Sequence, residues 1–155
     1  MNKKILIVDD DRMSVNVARS YLSNENFELF VVNDGEEAYK TATKLLPDIV
    51  LMDVVMPGID GYDTCRLLKR NLATESIPII FVTNLGNTIE CVFDAGGCDY
   101  VCKPYSKIEL ITKVTFHLEM QSKINQIEDL NIKLKKTIEE KNAEISALKN
   151  RVSES

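Results

Sequence analysis

Ile5-Leu6-Ile7-Val8-Asp9-Asp10-Asp11 is the stretch that decides how this chain folds. Four apolar residues in a row, without alternation, suit a strand covered on both faces, as in a parallel sheet between helix layers. Three aspartates then stop the run. No export leader is expected here: Met1-Asn2-Lys3-Lys4 supplies positive charge, but a leader needs about 7–15 apolar residues after it.

Outward from that run, apolar segments alternate with helix-like ones. Met13 to Leu22 carries Val15, Ala18, Tyr21 and Leu22 at helical spacing. Leu29 to Val32 is a second strand. Asp34-Gly35 opens a helix with Ala38, Tyr39 and Ala42 that stops before Pro47. Ile49 to Met52 is a third strand, and Pro57 to Gly61 a turn-rich loop before a helix through Cys65, Leu67 and Leu68. Pro78 to Thr83 is strand four, a weaker helix covers roughly 88–94, and Tyr100 to Cys102 is a short strand five. Strands and helices alternating at this spacing predict right-handed βαβ units and a doubly wound, three-layer α/β domain with a parallel sheet. In that architecture the functional groups lie beyond the carboxyl ends of the strands.

Those ends gather an unusual set. Asp9 and Asp10 follow strand one, Asp53 follows strand three, Thr83 closes strand four, and Lys103 precedes Pro104 after strand five. An aspartate after a strand is often only a helix cap or turn former, and Asp11 and Asp60 are read that way. Three carboxylates on one rim are another matter. They repel one another unless a cation compensates, and a hard divalent ion with oxygen ligands, Mg²⁺ foremost, is the expected one.

Asp9-Asp10, then Asp53-Val54-Val55-Met56-Pro57-Gly58-Ile59-Asp60-Gly61, then Thr83, then Lys103-Pro104-Tyr105 resembles the receiver domain of two-component response regulators. The resemblance covers about residues 3–121, and Ala95-Gly96-Gly97-Cys98-Asp99-Tyr100 is similar to the family's approach to strand five. It implies a flavodoxin-like five-stranded sheet of order 2-1-3-4-5. It implies Asp53 as the acceptor of a phosphoryl group from a histidine kinase or phosphotransfer protein. Mg²⁺ would be held by Asp10, Asp53 and the Val55 carbonyl, with Asp9 direct or through water. Lys103 would pair with Asp53 or its phosphoryl oxygens across a cis bond to Pro104. Thr83 and Tyr100 would form a switch pair, the ring turning inward as the hydroxyl moves to the phosphoryl group. Such a chain is a phosphoacceptor and not an enzyme in the ordinary sense.

Three departures from the family pattern stand out. Asn84 replaces the usual small residue, Val55 and Leu85 are apolar beside the site, and the segment from Thr83 to Lys103 is shorter than usual. The first two predict a long-lived aspartyl phosphate. The third predicts a truncated fourth helix and puts in doubt dimerisation through the family's usual face on helices four and five.

The six glycines and four prolines all lie at or before residue 104, so nothing forces the fifth helix to stop. Beyond about Glu119 heptads take over, dividing the chain into a receiver at 1–121 and a coiled coil at 122–155. Position a holds Ile124, Asn131, Ile138, Ile145 and Val152; position d holds Met120, Ile127, Leu134, Lys141 and Leu148. β-Branched residues at a with Ile or Leu at d favour a parallel two-stranded coil, and an Asn at a fixes its register. Lys123 with the partner's Glu128, and Glu144 with the partner's Lys149, are the cross-strand pairs of that arrangement. A helix from about 106 to 152 would run about 70 Å at 1.5 Å per residue, too long for its own domain to cover. A parallel homodimer is therefore expected, either as a complete protein acting through the coil or as a linker to an output domain such as a cyclic-dinucleotide enzyme.

Composition closes off other classes. Residues 1–121 hold 12 basic and 18 acidic residues, and residues 122–155 hold 7 and 6. Neither part offers a basic patch for nucleic acid. No run approaches the roughly 20 apolar residues of a membrane span, so a cytoplasmic location is expected. Cys65, Cys91, Cys98 and Cys102 form no C-x-x-C pair, with His117 the only histidine, so reduced thiols are expected and not zinc. Two alternatives remain: a degenerate receiver acting only as an interaction module, and an aspartate-nucleophile phosphatase. The latter resembles an Asp-x-Asp pattern with its nucleophile after strand one, whereas here an adjacent pair follows strand one and the lone loop aspartate follows strand three.

Overall fold

The computed structural model describes residues 1–23, 25–84 and 89–155. Five parallel strands, β1 (Lys3–Val8), β2 (Phe27–Val32), β3 (Ile49–Asp53), β4 (Ile79–Thr83) and β5 (Asp99–Cys102), form one sheet. Its order is β2-β1-β3-β4-β5. The helices are α1 (Arg12–Leu22), α2 (Gly35–Leu45), α3 (Gly61–Arg70), α4 (Ile89–Asp94) and α5 (Lys107–Glu154).

Alternate residues of each central strand feed opposite cores, as the two-residue strand period requires. Ile5, Ile7, Ile49, Leu51, Ile80 and Val82 pack with Val15, Ala18 and Leu22 of α1 and with Leu110, Val114 and Leu118 of α5. Leu6, Val8, Val50, Met52, Ile79 and Phe81 pack on the other face with Ala38 and Ala42 of α2, Cys65 and Leu68 of α3, and Val92 of α4. The unbroken apolar runs are thus explained by cover on both faces.

Helix starts follow from local chemistry. Asp11 caps α1, accepting from the Met13 and Ser14 amides; Asp34 caps α2 through the Glu37 amide at 2.8 Å; Asp60 caps α3 through the Asp63 amide at 2.8 Å. Each carboxylate satisfies amides that the first helical turn leaves unpaired. Three strands, β1, β2 and β5, begin earlier than the apolar pattern indicates. Lys3 and Lys4 extend β1 because they stand in register with Phe27 and Glu28 of β2. The helix α4 has six residues, and the expected start near Thr88 lies outside the described residues.

The chain divides into two compact units, Met1–Leu118 and Glu119–Ser155. The second unit is helical through Glu154. Within the single chain its side chains at Ile124, Ile127, Leu134, Ile138, Ile145 and Leu148 are 41% to 58% exposed, an apolar stripe that the chain itself does not cover. Asn131 lies exposed on the same stripe. Lys141, the basic residue in it, stands 3.3 Å from Glu144 of its own helix. Among the described residues, no helix is long and apolar enough to cross a membrane.

Candidate functional site: an acidic rim with one lysine

The site is built from strand ends. β1 delivers Asp9 and Asp10 just past Val8, while β3 and β4 end on Asp53 and Thr83. Lys103 follows β5, with its amide donating to the Thr83 carbonyl at 2.9 Å and a cis peptide bond to Pro104. The loop after Asp53 is folded back tightly. The Gly61 amide donates to the Val54 carbonyl at 2.8 Å, and a β-carbon at Gly61 would collide with the Asp53 carbonyl oxygen. Only glycine allows that approach.

One carboxylate oxygen from each of Asp9, Asp10 and Asp53 lies within 4.8 Å of the others; among the described residues this is the one such cluster of potential ligands. Asp9 is buried, Asp53 half-buried and Asp10 exposed, so the cluster opens to solvent on one side. The Lys103 ammonium is 3.0 Å from Asp9 and 3.6 Å from Asp53. Pairing is thus shared, with Asp9 the nearer, whereas the family resemblance placed Lys103 on Asp53. The other Asp9 oxygen accepts from the Asp11 amide at 2.9 Å. One ammonium faces three carboxylates, which leaves a surplus of negative charge and an all-oxygen donor set. That chemistry fits a hard divalent cation that keeps part of its water shell.

Burial pushes the Asp53 carboxyl up to about 6; Lys103 opposes this, Asp9 adds to it, and the amides of Val55 and Val54 also lower it. Asp53 is therefore mostly ionised at neutral pH, yet in a setting that disfavours its charge.

Thr83 is buried, Asn84 is exposed beside it, and the Val55 side chain is exposed. Leu85 lies outside the described residues. Beside the rim runs an open groove of about 500 Å³ whose walls include Asp11, Met13, Tyr21, Asn84, Lys103 and Tyr105. Tyr100 is half-buried and stands in register with Phe81 of the neighbouring strand.

Sequence reasoning missed two features here. Asp99 binds Lys113 at 3.2 Å and His117 at 2.9 Å. Asp99 is also held below the usual carboxylate range: burial acts to raise it, but bonds from His117, the Tyr100 amide and Lys113 outweigh that. The second is Tyr62, whose ring packs on Phe81 at 5.1 Å while its buried hydroxyl has no hydrogen-bond partner among the described residues. An unpaired buried hydroxyl costs free energy. Tyr62→Phe is therefore expected to stabilise the fold by about 1 kcal/mol, measured as a higher urea midpoint at unchanged slope. A lower midpoint would mean that the hydroxyl has a partner.

The cysteines take no part in the rim. Burial pushes Cys65 and Cys98 up to about 11, which keeps them as protonated thiols.

Fold and rim together place the chain among doubly wound α/β proteins with an acidic, cation-ready site at the strand ends. Comparison with known proteins then shows the family: residues 5–115 match the response regulator receiver domain, and the chain belongs to it. It is 36% identical over 120 residues to the DNA-binding response regulator MtrA of Mycolicibacterium smegmatis, covering 76% of this chain and 51% of that protein. It is 37% identical over 117 residues to the response regulator PleD of Caulobacter vibrioides, covering 74% of this chain and 26% of that one. The receiver domain of a sensor histidine kinase from Pseudomonas aeruginosa PAO1, solved with a magnesium ion in its active-site cleft, matches with a TM-score of 0.72 at 28% identity. That match covers 77% of this chain and 99% of the other. The chain spans about half, or less, of the length of these curated relatives. It is a receiver domain of two-component signalling.

Proposed function

We propose that Asp53 accepts a phosphoryl group from a phosphohistidine on a partner kinase or phosphotransfer protein. The observation that carries this reading is the convergence of Asp9, Asp10 and Asp53 around one lysine at the strand ends. An Asp53 oxygen forms the new O–P bond as the donor's N–P bond breaks, and the electron pair leaves on the imidazole nitrogen. The Lys103 ammonium, between Asp9 and Asp53, is placed to offset charge on the transferred oxygens. The buried Thr83 hydroxyl is at hand for the phosphoryl group, and Tyr100 follows it inward.

Asp10, Asp53 and the Val55 carbonyl, with Asp9, are the groups that would hold Mg²⁺. Bound there, the ion neutralises charge between nucleophile and phosphoryl oxygens. The groove beside Lys103 is where the donor's surface would sit. Asn84 on its wall narrows access to the site and favours a long-lived acyl phosphate. "DNA-binding" in a relative's name describes a protein of which this chain matches about half, and neither half of the present charge distribution supports direct nucleic-acid contact.

The stripe on the second unit is the partner surface of a parallel homodimer. Heptad spacing, Asn131 at position a and the two complementary g–e pairs support this. Through the dimer the receiver's state would reach a bound partner or an output domain.

The test is incubation with acetyl phosphate followed by intact-mass measurement. One added phosphate that requires Mg²⁺ and is lost in Lys103→Ala supports the reading, and its decay measures the lifetime. No adduct, under conditions that label another receiver, would favour a degenerate receiver.

A further inference from the structure

Lys113 is not part of the acidic rim, yet it makes three contacts with the segment that carries Tyr100. Its ammonium donates to the Tyr100 carbonyl at 2.5 Å and to Asp99 Oδ1 at 3.2 Å. It also stands 5.0 Å from the centroid of the Tyr100 ring, within the range at which a cation is attracted to an aromatic face. Asp99 is itself fixed, accepting from the Tyr100 amide at 2.8 Å and pairing with His117 at 2.9 Å. The ammonium thus has an acceptor or a ring for each of its donors. Lys113 and His117 both lie on α5, the helix that continues to Glu154.

We propose that Lys113 is a positioning residue that holds the Tyr100 ring in its half-exposed pose and thereby sets how readily Asp53 takes up a phosphoryl group. The inference rests on Asp53 as acceptor and Tyr100 as the switch residue.

The contacts divide into two kinds. Those to the Tyr100 carbonyl and to Asp99 involve backbone and a neighbouring side chain, so they survive rotation of the ring. The contact with the ring depends on its present, half-buried pose, and a rotation that carries the aromatic face away from the ammonium breaks it. A contact made in one of two states shifts the balance toward that state. By linkage it weakens, by the same factor, any ligand that favours the other state. An exposed cation–ring contact corresponds to a factor of about two to five. Lys113 therefore restrains phosphorylation, and an arginine, which keeps the charge over the ring, does the same. A plain staple between β5 and α5 would affect unfolding but not ligand affinity.

The test uses the full chain with Mg²⁺ and beryllofluoride as the phosphoryl mimic. Fluorotyrosine labelling lets the Tyr100 resonance be followed, assigned by its loss in Tyr100→Phe. Lys113→Gln, which can keep the bonds to Asp99 and the carbonyl, and Lys113→Met are both expected to bind beryllofluoride about two- to fivefold tighter. Their Tyr100 resonance should already lie nearer the bound position before addition. Lys113→Arg should match the wild type, and Lys113→Gln in a Tyr100→Leu background should change nothing. Unchanged or weaker binding by Lys113→Gln overturns the inference, as does an equal gain in the Tyr100→Leu background. If the wild type binds no beryllofluoride, the acceptor reading falls and this one with it. If it binds while the Tyr100 resonance stays put, the switch reading is what fails, again taking the inference with it.

Discussion

Asp53→Asn is expected to raise the thermal stability of the protein at about pH 7.5 when Mg²⁺ is chelated. The Asp53 carboxyl has an ordinary value of 3.8 and is pushed up to about 6 in the fold, chiefly by burial. Between those values the native state keeps a proton that the unfolded chain has released. Stability therefore falls as pH rises through that window, and above it the penalty is complete. A shift of about two units corresponds to at most about 3 kcal/mol. Solvent at the open side of the rim screens part of this, leaving about 1–2 kcal/mol. Asn removes the charge while Lys103 retains Asp9 at 3.0 Å, so no ammonium is orphaned. The gain should disappear below about pH 4, where both states of the wild type are protonated. Added Mg²⁺ should then stabilise the wild type more than the variant, since the variant has lost a ligand. Thermal melts at several pH values check all of this. An Asn variant no more stable at any pH would mean that the acidic rim is not strained.

The second large effect concerns the tail. Ile138→Asp, at the centre of the stripe, is expected to convert dimers to monomers at micromolar concentration. Ile132→Asp, at a residue more exposed in the single chain and off the stripe, should leave the dimer intact. Placing a carboxylate in a closed seam costs about 3 kcal/mol or more, so the dissociation constant should rise at least about a hundredfold. Sedimentation equilibrium distinguishes the two variants. Identical behaviour of both, or a monomeric wild type, would remove the parallel coil from the account.

Much of the fold was legible because its signals are local. Unbroken runs such as Ile5 to Val8 mark strands covered on both faces, and Asp11 and Asp60 sit where caps are needed. The rim follows from the residues that stand at the strand ends. What could not be read depends on reach and partner choice in three dimensions. That Lys103 lies nearer Asp9 than Asp53 is decided by sub-ångström placement that a spacing pattern does not encode. Asp99 lies 14 and 18 residues before Lys113 and His117, and no periodicity links it to that helical pair. Nothing in the sequence says whether the Tyr62 hydroxyl finds a partner. The extra residues of β1 are polar, and only pairing with β2 makes Lys3 and Lys4 strand.

The most direct test of the phosphoacceptor claim is to trap the modified residue. After phosphorylation by acetyl phosphate with Mg²⁺, borohydride reduction converts an aspartyl phosphate to homoserine, which tandem mass spectrometry locates in the chain. Homoserine at position 53, absent without Mg²⁺, is the predicted result. Homoserine at another aspartate, or none under conditions that label a control receiver, would contradict it.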